Sequence, residues 1–201
     1  MKVTLIDYGA GNVPSVERAF RRLGAEVETT NAAEKVATAN CLVLPGVGHC
    51  AALIHALDAH ALRQPILDAI ARGATFLGIC LGLQALYVSS DEASDKHGLG
   101  LLPGKVTRLP ATVKLPHMGW NTLQRLRTLR LLESIPTGAY FYFAHSFAAP
   151  SGGEECAAVC AHGREFVAVV EKRNLFAVQF HPEKSGAAGA QILQNFLKAA
   201  A

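Results

Sequence analysis

Ala74-Thr75-Phe76-Leu77-Gly78-Ile79-Cys80-Leu81-Gly82-Leu83-Gln84-Ala85-Leu86-Tyr87 joins two local patterns at a single residue. Ala74 to Leu77 is a short apolar run of strand type, and Leu83 to Tyr87 reads as the start of a helix. Between them, Gly78-Ile79-Cys80-Leu81-Gly82 sets a nucleophilic side chain between two glycines at a strand-to-helix turn, the elbow that serine hydrolases use. Such a turn is tight. The nucleophile takes a strained backbone, and the residues two before and two after must carry almost no side chain. A thiol placed there faces the N-terminal N–H groups of the following helix, which favour thiolate. The same residues also suit an inert cysteine in an apolar strand, so the rest of the chain has to decide.

Working outward, the first half alternates strand and helix. Val3 to Asp7 is a strand, followed by the turn Tyr8-Gly9-Ala10-Gly11-Asn12 and a helix whose apolar stripe includes Val16, Ala19, Phe20 and Leu23. Pro14 fits its first turn, where no N–H is needed, and Gly24 ends it. Strands at Glu26 to Thr30 and Cys41 to Leu44, the turn Pro45-Gly46-Val47-Gly48, and helices at Ala51 to Ala59 and Pro65 to Ala71 complete the series. Alternation of this kind predicts a parallel sheet with helices on both faces. The second half is richer in short strands: Gly104 to Arg108, Ala139 to Phe143, Cys156 to Cys160, Phe166 to Glu171 and Leu175 to Phe180. Lys172-Arg173-Asn174 predicts a hairpin between the last two, and a helix at Ala188 to Lys198 closes the chain. The fold class is α/β, a largely parallel core with added antiparallel strands, expected to form one domain over residues 1–201.

Composition limits the function classes. Half of the 201 residues are hydrophobic and 17% are charged, which excludes a disordered chain. A net charge of +3 without a Lys/Arg block gives no footprint for nucleic acid. No apolar run reaches bilayer length, and the chain opens directly on a strand, so a cytoplasmic protein without membrane contact is expected. The cysteines Cys41, Cys50, Cys80, Cys156 and Cys160 are odd in number, as for reduced thiols rather than a disulfide framework. Cys156-Ala157-Ala158-Val159-Cys160 looks like a strand and lacks both ligand spacing and a second pair, so no metal site is expected.

A cysteine nucleophile needs a base, and the base needs an orienting group. Phe180-His181-Pro182-Glu183 supplies both where a strand runs out, at the sheet edge that would also carry Cys80. A lone histidine there would only end a strand; one paired with Glu183 suits a general base that later returns its proton. The developing oxyanion needs donors. One is the backbone N–H of Leu81, and the flexible Pro45-Gly46-Val47-Gly48 turn suits either a second donor or an ordinary strand-to-helix connection.

Gly-x-Cys-x-Gly with Gln84 shortly after it, the distant His181-Pro182-Glu183 and the Pro-Gly-Val-Gly turn together resemble the class I (triad) glutamine amidotransferases. Four further segments narrow the match: Asp7 to Asn12, Leu115-Pro116-His117-Met118-Gly119-Trp120-Asn121, Tyr142-Phe143-Ala144-His145-Ser146, and Lys184-Ser185. Over nearly the whole chain they are similar to the glutaminase subunits of imidazole glycerol phosphate synthases. The resemblance implies a flavodoxin-like sheet and no cofactor. It implies hydrolysis of glutamine through Cys80, His181 and Glu183, with Val47 and Leu81 as oxyanion donors. Gly46, Gly48, Gln84, His145, Ser146 and Phe147 would hold the substrate. The partner implied is a (β/α)₈-barrel cyclase that takes the ammonia and yields imidazole glycerol phosphate and AICAR. Asn12, Pro116, His117, Trp120, Tyr142 and Lys184 match positions that face it. Cys50 stands where phenylalanine is expected and Phe147 where tyrosine is common. Rival readings are a glutaminase for anthranilate, aminodeoxychorismate or pyridoxal phosphate synthesis, a non-catalytic regulatory relative, and a cysteine hydrolase of other amides or esters.

Overall fold

The computed structural model describes residues 1–9 and 12–201; Ala10 and Gly11, in the middle of the turn expected after the first strand, lie outside the described residues. The first half runs β1 (Lys2–Ile6), α1 (Val13–Arg22), β2 (Glu26–Thr30), α2 (Ala33–Thr38), β3 (Cys41–Gly46), α3 (Cys50–Ala59), α4 (Arg63–Arg72), β4 (Thr75–Cys80) and α5 (Leu81–Gln84). The second half contributes β5 (Tyr87–Ser90), β6 (Ala93–His97), β7 (Leu102–Arg108), β8 (His117–Thr122), β9 (Gln124–Arg125), β10 (Tyr140–His145) and β11 (Phe147–Ala148). Then come β12 (Cys156–Ala161), β13 (Glu165–Lys172), β14 (Leu175–Val178), a short 3₁₀ turn at Pro182–Lys184 and α6 (Gly186–Ala199).

The main sheet has the order β2-β1-β3-β4-β14-β13-β12-β9. Its first five strands are parallel, in the doubly wound order that places sites at the carboxyl ends of the strands. The last three are antiparallel, and β13 turns into β14 at Arg173-Asn174, as expected from the sequence. Alternation along each strand divides the core between the two faces. Cys41 and Val43 of β3 pack with α1 and α6 through Phe20, Ile192 and Phe196, whereas Leu42 and Leu44 pack with α3 and α4 through Leu53, Leu57 and Ile66. A small sheet of order β11-β7-β5-β6 and a β10–β8 ribbon lie apart from this core sheet. Among the described residues no helix is long and apolar enough to cross a membrane.

The helix expected from Leu83 onward is corrected. α5 is one turn, and Tyr87 already begins β5. Gly98 N donates to Val88 O and Leu99 N to Ala85 O, so the returning chain takes carbonyls that a longer helix would have used. The close return requires glycine at 98, where a Cβ would stand 2.0 Å from Tyr87 O.

Candidate active site

Cys80 ends β4 with φ 55° and ψ −105°, a left-handed backbone that costs a non-glycine residue about 1–3 kcal/mol. The flanking glycines are steric requirements. A Cβ on Gly78 would lie 2.5 Å from Gly82 O, and one on Gly82 would lie 2.0 Å from Leu44 O. The elbow thus folds back against β3, and both of its flanking positions require glycine.

β14 lies beside β4 with Val178 opposite Ile79, so the residues that follow β14 emerge at the same edge as Cys80. His181 is held by its backbone: its N–H donates to Tyr142 O at 2.8 Å, and its carbonyl accepts from Ser185 Oγ at 2.6 Å. Its Nδ1 meets Glu183 Oε1 at 2.9 Å, with both side chains almost wholly buried. Burial works against an imidazolium here, but the Cys80 sulfur and the Glu183 carboxylate outweigh it and raise His181 to about 10. Burial likewise opposes ionisation of Glu183, yet His181, the backbone and Asn12 hold its pKa below the usual carboxylate value. The arrangement is a cysteine beside an imidazole with a carboxylate behind it, the apparatus of nucleophilic attack and proton return.

Asn12 also reaches the triad. Expected on a partner-facing surface, its side chain donates to Glu183 Oε1 at 3.1 Å. Ser185, singled out from the sequence only as part of the Lys184-Ser185 segment and given no role there, clamps His181 and Tyr142 together.

A cavity of about 200 Å³ opens on Cys80. Val47, Gly48, Leu81, Gln84, His145, Ser146 and Phe147 line it, together with His181 and Lys184. Gly46 is the exception. It pairs with Cys80 in the sheet and lies under the elbow, where a Cβ would be 2.5 Å from Leu81 Cβ, so it supports the site rather than lining it. Glu92 also lines the cavity and was missed; an acidic pair in a turn looks like solvated charge. Its Oε2 accepts from Cys50 N at 2.8 Å at the start of α3. Gln84 spends its amide hydrogens on Phe147 O at 2.8 Å and Gln179 Oε1 at 3.0 Å, leaving Oε1 buried and without a partner among the described residues. The phenylalanine at 147 removes a hydroxyl but not this contact, because the acceptor is its backbone carbonyl.

His145 has no free ring nitrogen for a ligand. Nδ1 donates to Phe147 O at 2.8 Å and Nε2 faces His117 Nδ1 at 3.2 Å, while His117 Nε2 faces Asn121 Nδ2 at 3.3 Å. Burial holds both imidazoles neutral, lowering His117 to about 4 and His145 to about 3. His117, expected at a partner surface, is therefore an interior residue stacked between Phe143 and His162. Strand alternation explains the difference. His117 and Trp120 are an odd number of residues apart on β8, so they lie on opposite faces. The outer face carries Met118, Trp120 and Tyr140, each more than half exposed, and Trp120 meets Tyr142 edge-on at 5.9 Å. Pro116 is exposed, and Lys184 Nζ sits 5.8 Å over the Tyr142 ring at the mouth of the cavity.

The family model for glutamine amidotransferase class-I matches residues 4–200. The imidazole glycerol phosphate synthase subunit HisH of Desulfitobacterium hafniense is 44% identical over 197 residues, covering 98% of this chain and 93% of that one. The subunit of the same name from Methanothermobacter thermautotrophicus is 44% identical over 196 residues, covering 98% of both. Among solved structures, a glutamine amidotransferase superposes with a TM-score of 0.77 over 98% of each chain at 19% identity, a likeness of fold.

Proposed function

From the premise that the chain belongs to the class-I glutamine amidotransferases, we infer that Cys80, His181 and Glu183 hydrolyse glutamine and that the ammonia passes to a second protein. The function is that of a glutaminase subunit of imidazole glycerol phosphate synthase, as its relatives at 44% identity over nearly the full length support. The observation that carries the chemistry is the adjacency of a strained cysteine and a carboxylate-backed histidine at one cavity.

The Cys80 thiolate attacks the side-chain carbonyl carbon of glutamine. The charge that develops on oxygen is met by the backbone amides of Leu81, which has no acceptor within its own helix turn, and Val47. As the carbon–nitrogen bond breaks, His181 gives its proton to the leaving ammonia, and a γ-glutamyl thioester remains. Water then attacks that ester and gives a proton to His181. The carbon–sulfur bond breaks, glutamate leaves, and the thiolate–imidazolium pair is restored. Glu183 keeps the imidazole oriented throughout. Gln84 Oε1, without a partner among the described residues, accepts from a substrate N–H, and the Glu92 carboxylate suits the α-ammonium group.

Ammonia in bulk water is mostly protonated and unreactive, so a partner must cover the site. That partner is the cyclase subunit, a (β/α)₈ barrel by family resemblance, which forms imidazole glycerol phosphate and AICAR. The exposed aromatic face of the β8–β10 ribbon beside the cavity suits docking, with Pro116, Trp120, Tyr142 and Lys184 at the contact. The test is glutamate release by the purified chain alone and with the barrel cyclase plus its nucleotide ligand. Strong stimulation is expected; a chain that hydrolyses glutamine equally well alone, or ignores this partner, contradicts the assignment.

A further inference from the structure

The reaction as described leaves the carboxamide of Gln179, beside the nucleophile, unused. Gln179 follows β14 directly and is fully buried. A carboxamide so placed is costly unless its hydrogen bonds are made, so its partners indicate what it does. Oε1 accepts from Gln84 Nε2 at 3.0 Å, and Nε2 lies 3.6 Å from Cys80 Sγ, within reach for N–H···S.

Which end of the amide faces the sulfur is fixed by its neighbours. The two ends of a carboxamide are told apart by their partners, and here the assignment starts at the backbone carbonyl of Phe147, which accepts and never donates. Gln84 aims one end of its amide at that carbonyl, so that end is the NH₂ group. The same NH₂ meets Gln179, so the atom it meets is oxygen. The remaining end of Gln179, toward Sγ, is then NH₂. On the other side of the carbonyl the order is equally directed: Asn121 donates to His117, His117 to His145, and His145 to Phe147 O. One carbonyl thus polarises a row of side chains running from β8 to the nucleophile.

We propose that Gln179 is a catalytic residue whose side-chain N–H donates to Cys80 Sγ and favours its thiolate. The proposal rests on Cys80 being the nucleophile. A thiolate is a far better acceptor than a thiol or a thioester sulfur, so this donor stabilises the form that attacks and the form released when the carbon–sulfur bond breaks. It also fills a gap. The helix after Cys80 is a single turn, too short for a substantial dipole, and a directed amide supplies the donor that a longer helix would have offered. Because Gln84 uses one NH₂ to orient Gln179 and keeps its oxygen for the substrate, glutamine binding and thiolate stabilisation meet in one side chain.

The titratable groups facing the sulfur are His181 with Glu183 behind it and the buried Tyr8 hydroxyl, with Glu92, His145 and Lys184 across the cavity. All stay the same when parent and variants are compared. The full-length parent, Gln179→Met and Gln179→Glu are treated with iodoacetamide over a range of pH, and labelling of Cys80 is followed by peptide mass spectrometry. Gln179→Met keeps the side-chain length and removes the donor; Gln179→Glu keeps the acceptor for Gln84 and turns an oxygen toward sulfur. The midpoint of the labelling profile is expected to rise by about one pH unit in Gln179→Met and further in Gln179→Glu. Coincident profiles in variants with the parent's near-ultraviolet circular dichroism overturn the proposal. If only one variant folds, its midpoint decides. A parent chain in which Cys80 is not labelled at all overturns the nucleophile assignment itself, a result distinct from coincident profiles.

Discussion

Asn12 Nδ2 and His181 Nδ1 bind the same oxygen of Glu183, at 3.1 Å and 2.9 Å. The carboxylate is held from the far side by the residue that opens α1, so the start of the chain sets the position of a group near its end. Asn12→Ala removes one net hydrogen bond from a charged acceptor and is expected to lower kcat for glutamine by about fivefold to tenfold with KM little changed. Steady-state kinetics in the partner complex check it; a change confined to KM points to substrate contact instead.

Cys80→Ala is expected to abolish glutamine-dependent turnover while the synthase reaction driven by added ammonia survives in the complex. Persistent glutamine turnover would exclude Cys80 as the nucleophile. Glu183→Gln is expected to retain more activity than His181→Ala, since it removes only the orienting charge.

Gly82→Ala tests the elbow as a steric object. Its Cβ would overlap Leu44 O, and the backbone shift needed is expected to cost about 3 kcal/mol. For a chain of this size that lowers Tm by about 6–12 °C. An unchanged melting curve would mean that the strand packing under the turn is softer than described.

The interior histidines predict a pH dependence. His117 and His145 are held below the ordinary value of 6.5, at about 4 and about 3, by burial. Their contribution to stability is complete above 6.5 and is lost as pH falls toward those values, because the unfolded chain takes up protons first. His181, raised to about 10, acts in the opposite sense: its contribution is present below 6.5 and fades as pH rises through about 10. Urea unfolding at pH 7, 6 and 5 is expected to show falling stability, with a shallower slope for His145→Gln. Equal slopes in parent and variant would remove His145 from the linkage.

Trp120 is 56% exposed on the outer face of the ribbon. Trp120→Ala is expected to leave the Tm of the isolated chain unchanged and to weaken binding of the barrel cyclase by about thirtyfold. Calorimetric titration measures the second; undiminished affinity would move the docking surface elsewhere.

The parts of the site legible in the sequence are those where backbone geometry demands a residue type. Gly78 and Gly82 are required by close approach, and the spacing of His181 and Glu183 follows from the end of a strand. What escaped was set by tertiary pairing. The helix after Gln84 stopped because Gly98 and Leu99 bind the carbonyls of Val88 and Ala85. His117 matches a partner-facing position by resemblance alone, and the alternation of β8 turns it inward, away from Met118 and Trp120. Gln179 and Glu92 carried no pattern, since one amide in an apolar strand and one carboxylate in a turn are common.

The pairing of β4 with β14 has a temporal meaning. Cys80 is translated well before His181, and the sheet cannot seat the base beside the thiol until the last strand of the parallel core has been added. During synthesis the nascent chain therefore holds its cysteine without a proton acceptor at hand. The order of synthesis delivers the nucleophile first and its activating base last.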